Sequence, residues 1–105
     1  MTTKQAGPKI VSITIIGRRW FQRTYGNTYH TATILVNGQH VHKTAEEYGY
    51  GDQYVDTAAR WLEKFGYMDR KKYDNGGHEP ARIWAERNGI AFTYQAVDVA
   101  RERDL

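Results

Sequence analysis

Cysteine is absent from the 105 residues, which excludes disulfides, zinc-thiolate sites and a cysteine nucleophile and is compatible with a reducing compartment. Long apolar runs are missing as well, since none approaches the roughly 18 residues of a membrane span. Residues 1–8 lack the apolar middle of a secretory signal, so a cytoplasmic protein with no membrane partner is expected. No stretch reads as a linker, an internal repeat or a low-complexity segment. Separate cores usually need ~50 residues each, so a single domain over residues 1–105 is expected, with 1–8 and 101–105 as flexible ends. The most informative lack is of acids. Residues 1–45 hold Lys4, Lys9, Arg18, Arg19, Arg23 and Lys43 and not one Asp or Glu. The first acid is Glu46, so the modest net charge of +3 conceals a basic half followed by an acidic one. Such polarity bears on partners rather than on fold.

What the chain has in excess is rings: eight Tyr, three Trp and three Phe, against a mean hydropathy of -0.76. Some of those rings are expected at the surface. The β-branched run Ile10, Val11, Ile13, Ile15 and Ile16, with Ser12 and Thr14 interleaved, reads as a first strand. Gly17 interrupts it and suggests a bulge, after which Arg18 to Arg23 continue with altered facing. Gly26-Asn27 reads as a tight two-residue turn, and Asn37-Gly38 as a type I′ turn, joining strands at Tyr29–Val36 and Gln39–Thr44. These turns set Leu35 opposite His40, Thr33 opposite His42 and Trp20 opposite Thr33. One face then carries Ala32, Ile34, Val36 and Val41 as core. The other carries Trp20, Gln22, Tyr29, Thr31, Thr33, Leu35, His40 and His42.

Asp52 is placed to cap a helix whose Tyr54, Val55, Ala58, Trp61, Leu62 and Phe65 recur at helical spacing until Gly66. Pro80 and Gly89 bound a second, shorter helix. Ile90 to Val99 reads as a last strand. The expected fold class is α+β: a small, mainly antiparallel four-stranded sheet in the order βββααβ, with two helices packed on one face.

The segment Arg18-Arg19-Trp20-Phe21-Gln22-Arg23-Thr24-Tyr25-Gly26-Asn27-Thr28-Tyr29-His30, the later Tyr48-Gly49-Tyr50-Gly51 and the ending from Asp98 to Leu105 resemble parts of small uncharacterised bacteriophage proteins. That resemblance implies expression in the cytoplasm of an infected bacterium and action on a host or defence component, and it supplies no catalytic residues. Residues 29–65 are also loosely similar in element order to double-stranded-RNA-binding domains. The first helix of that fold is missing, however, and Asp52 and Asp56 occupy the helix start where phosphate-gripping bases would stand.

Arginines interleaved with rings are what single-stranded nucleic acid requires, because guanidinium meets phosphate bidentately and rings stack on bases. The candidate binding residues are Arg18, Arg19, Trp20, Arg23, Tyr25, Tyr29, His40 and His42. The plainer reading is an amphipathic strand with its rings in the core and its arginines solvated. His40 and His42 on one strand face could hold a metal, but two histidines without an acid do not make a site. No metal or other cofactor is expected. The same pair with an arginine could serve a metal-independent hydrolase, as could His78 beside Glu79, yet no recognised catalytic motif is present and the protein is expected not to be an enzyme. Arg70-Lys71-Lys72 reads as a solvated loop. Asp52, Asp56 and Glu63 read as solvent-facing helix acids.

The leading expectation is a non-enzymatic module that binds RNA or single-stranded DNA through its basic aromatic hairpin. The rival is a protein-binding inhibitor of a host or anti-phage defence component, using the same rings as a hot-spot patch. Unprotected sheet edges leave room for a homodimer.

Overall fold

Ile13, Ile15, Ala32 and Ile34 lose all contact with solvent, and they sit in register on neighbouring strands. The computed structural model describes residues 9–105. In chain order they form β1 (Ser12–Gln22), β2 (Asn27–Val36), β3 (Gln39–Lys43), β4 (Glu47–Tyr48), α1 (Gln53–Lys64), α2 (Ala81–Arg87), β5 (Ala91–Val99) and a closing 3-10 turn (Glu102–Asp104). The expected flexible end 1–8 lies outside the described residues.

The fold is α+β, and the sheet is mixed: its order is β3-β2-β1-β5, with the two-residue β4 also paired to β2. Three of the four pairings are antiparallel, as expected, and the sheet departs from the four-stranded expectation in two ways. A fifth strand forms at Glu47–Tyr48, too short to carry a periodic signal. β5 also runs parallel to β1. Parallel neighbours need a crossover of a dozen residues or more, and the helical region between β4 and β5 supplies it.

Alternation along β1 sends Ile13, Ile15 and Gly17 to one face, where α1 covers them with Tyr54, Ala58, Ala59 and Leu62, and α2 adds Ala81, Trp84 and Ala85. Fully burying an aliphatic side chain of this kind contributes about 1.5–3 kcal/mol. Gly17 makes no bulge. It pairs with Ala32 and Ala96 in an uninterrupted strand, and its missing side chain leaves the space that the Tyr54 ring fills. The residues after it therefore keep the strand's regular facing.

The polar segment between the helices is pinned by ion pairs. Arg70 is buried, donating to Glu63 at 2.8 Å and lying 3.5 Å from Asp56. The expected solvated loop is thus anchored at its first base, and Glu63 is a partner of Arg70 rather than a free surface acid. Glu79 is also buried and accepts both Arg87 Nε at 2.7 Å and Nη2 at 2.9 Å, with the Lys71 amide at 3.1 Å. The bonds from Arg87 hold the Glu79 carboxyl down at about 2. A carboxylate so fully engaged is a structural clamp, which removes the reading of His78 beside Glu79 as an acid-base pair.

Candidate binding surface

The face of the sheet opposite the helices is built by the even-numbered residues of β1 and their partners. The hairpin loop spans Arg23 to Gly26, closed by the Gly26 amide on the Gln22 carbonyl at 2.8 Å, and Gln22 pairs with Asn27. The tight turn expected at Gly26-Asn27 is therefore a longer loop, and the register moves by an even number of residues. Trp20 keeps the expected face but stands opposite Tyr29 instead of Thr33. Even slips conserve facing and change only neighbours.

That change makes an aromatic row. Val99, Trp20, Tyr29 and Tyr48 lie side by side across four strands. The Trp20 and Tyr29 rings stack at 5.9 Å between centroids, and Tyr29 meets Tyr48 edge-on at 5.8 Å. Trp20 and Tyr29 are half-buried, each having one ring covered by its neighbour, and Tyr48 is 64% exposed. Further along the face come Arg18 with Thr31, then Ile16 with Thr33 and Lys43, then Thr14 with Leu35 and His40. Among the described residues no strand sends an acid to this face.

At the end of the row a recess of about 410 Å³ is lined by Trp20, Phe21, Arg23, Val99 and Ala100. A guanidinium and an indole thus border one concavity. Tyr25, on the hairpin loop, is 75% exposed beyond it. Arg23 has no ion-pair partner among the described residues.

No protein-family model, curated protein or solved structure matches the chain. The surface must therefore be read from its own chemistry.

Two of the eight candidate residues lie elsewhere. Arg19, an odd residue of β1, points to the helix side, where its Nε donates to Asp98 at 2.8 Å and its Nη1 to the Gly51 carbonyl at 3.0 Å. It is neutralised by a carboxylate of the acidic half. His42 is moved by a bulge: His40 pairs with Leu35 and His42 with Ile34, so Val41 is an extra residue and the facing reverses after it. His42 stacks on Trp61 of α1 at 4.5 Å and 7°. With His40 on one side of the sheet and His42 on the other, the two cannot share a metal or a phosphate. The hydrolase reading built on that pair fails on geometry.

His30 is not among the candidate residues, although it organises the surface. Buried under the loop after β4, its Nδ1 donates to the Gly49 carbonyl at 3.0 Å and its Nε2 shares a hydrogen bond with the Thr57 hydroxyl at 2.7 Å. Nδ1 is the donor because a carbonyl can only accept. The bond fixes Gly49 between Tyr48 and the 71% exposed Tyr50. A histidine among polar strand residues gives no sign of burial until α1 is placed over it.

Proposed function

We propose that the protein is a non-enzymatic module that binds single-stranded RNA or DNA on the open face of its sheet. The observation that carries this reading is the Trp20-Tyr29-Tyr48 row on a face to which no described strand sends an acid, ending in a recess bordered by Arg23. Bases stack on sheet aromatics at about 1–3 kcal/mol each, and the π-face is common to all four bases. Arg18, Arg23 and Lys43 supply phosphate contacts around the row. Arg19 stiffens the hairpin against β5 and the loop at Gly51 and takes no phosphate. The resemblance to bacteriophage proteins would put this activity in an infected bacterial cell. No helix among the described residues is long and apolar enough to cross a membrane.

The test is a titration of a fluorescent single-stranded oligonucleotide at two salt concentrations. Affinity falls with salt in proportion to the phosphates neutralised, and the double variant Arg18→Ala, Arg23→Ala flattens that slope by about two phosphates. Salt-independent affinity, or an unchanged slope in the variant, contradicts the reading.

A second reading, a protein-binding inhibitor, draws on Phe21, Tyr25, Tyr48 and Tyr50, four exposed rings around the hairpin end. Aromatic residues dominate protein hot spots. A partner retained from bacterial lysate after nuclease treatment favours it, and one lost with nuclease favours nucleic acid.

A further inference from the structure

Residues 101–105 were expected to fray, yet they fold back over the open face. The Arg18 Nη1 donates to the main-chain oxygen of Asp104 at 2.9 Å, and the Lys43 Nζ donates to a main-chain oxygen of Leu105 at 2.9 Å. The 3-10 turn closes with the Asp104 amide on the Arg101 carbonyl and the Leu105 amide on the Glu102 carbonyl, both at 3.0 Å. Arg101 also holds the Asp104 carboxylate at 3.2 Å. From the end of β5 this strap passes over β1 at Arg18 and reaches β3 at Lys43, alongside the aromatic row. The strip between them holds Thr31, which is 5% exposed and the one buried residue of that face; its hydroxyl has no partner among the described residues.

We propose that residues 100–105 are a displaceable strap that competes with nucleic acid for Arg18 and Lys43. The inference rests on the single-strand-binding reading and adds its regulation. Arg18 is engaged by a neutral main-chain carbonyl rather than by a carboxylate. A phosphate, being charged, offers Arg18 a stronger bond than that carbonyl does. The strap is also opposed from within: Glu102 lies against Glu46, the acid that follows β3, within hydrogen-bonding reach. Like charges set together favour release. The orphaned Thr31 hydroxyl adds to the cost of the covered state, since a buried polar group without a partner has lost its water. Docking of the strap and occupation of the face exclude each other, so a ligand pays in affinity for the fraction of molecules that are closed.

The test compares the full chain, a chain ending at Val99 and the full-length variant Glu102→Gln, each titrated with the same single-stranded DNA oligonucleotide. The shortened chain binds roughly three- to tenfold more tightly, and Glu102→Gln, whose amide bonds to Glu46 instead of repelling it, binds more weakly than the parent. In the full chain, saturating oligonucleotide speeds amide exchange at Asp104 and Leu105. Equal affinities for the three proteins, with exchange unchanged at saturation, overturn the strap and leave nucleic-acid binding standing. Absence of binding by all three overturns both. Should the shortened chain fail to fold, Glu102→Gln and the exchange measurement decide the matter on the full-length protein.

Discussion

Gly17 shows how far a single residue can be read in advance. A lone glycine in a strand signals either a bulge or a close approach, and the choice depends on a partner far along the chain. Here it is close approach: a Cβ at this position would overlap three ring atoms of Tyr54. Tyr54 is itself almost fully buried and has little room to retreat. Gly17→Ala is therefore expected to destabilise the protein by about 1–3 kcal/mol, the usual cost of overpacking a core, measured by urea unfolding. A neutral or stabilising effect would mean that the ring moves freely and that α1 is loosely docked. Arg19 and Trp20, adjacent in sequence, carry the same lesson for function. Alternation along an uninterrupted strand sets their opposite facing, which the bulge expected at Gly17 obscured, and the Asp98 that neutralises Arg19 comes from the far end of the chain.

Individual elements were most legible where local chemistry sets them. Asn37-Gly38 adopts φ of 52° and 81°, as a type I′ turn requires, and Val36 pairs with Gln39 as expected. The helix at Gln53–Lys64 ends before Gly66, whose φ is 83°. The bulge at Val41 left no local mark, because its cause is distant: His42 gains the ring of Trp61, 19 residues along the chain, by turning to the helix side. The parallel docking of β5 was hidden for the same reason.

The clamp on α2 gives a pH prediction at this scale. Glu79 has its folded value lowered from 4.5 to about 2, first by the Arg87 bonds, so its stabilisation is complete above the unfolded value and is lost as pH falls from 4.5 towards 2. Glu63 is lowered too, by Arg70, and contributes with the same sign. Glu46 is raised, by burial and then by Glu102, and acts with the opposite sign, gaining stability as it takes up its proton. Acid unfolding followed by circular dichroism should show stability falling between pH 4.5 and 2. Glu79→Gln should be less stable at neutral pH and fall less steeply over that window. An identical acid slope in the variant would show that the clamp does not link folding to pH.

Taken whole, the molecule separates its charges unevenly. Some acids of the second half go back to the helix side and to the strap, where Asp98 neutralises Arg19 and Glu102 approaches Glu46. The open face between them keeps its rings, Arg18, Lys43 and, at its end, Arg23. The basic aromatic face was visible in the sequence, whereas its strap was not, since charged terminal residues give no sign of what they lie on.

The central claim is that Trp20 sits in the ligand's path, and the chain supplies its own controls. Trp84 is buried in α2 and Trp61 lies in the His42 stack on the other side of the sheet. The decisive measurement is the set of three indole N–H resonances followed by NMR while a single-stranded oligonucleotide is added. Binding on the open face moves the Trp20 signal to saturation while those of Trp61 and Trp84 hold their positions. Saturable binding with Trp20 unmoved would contradict it.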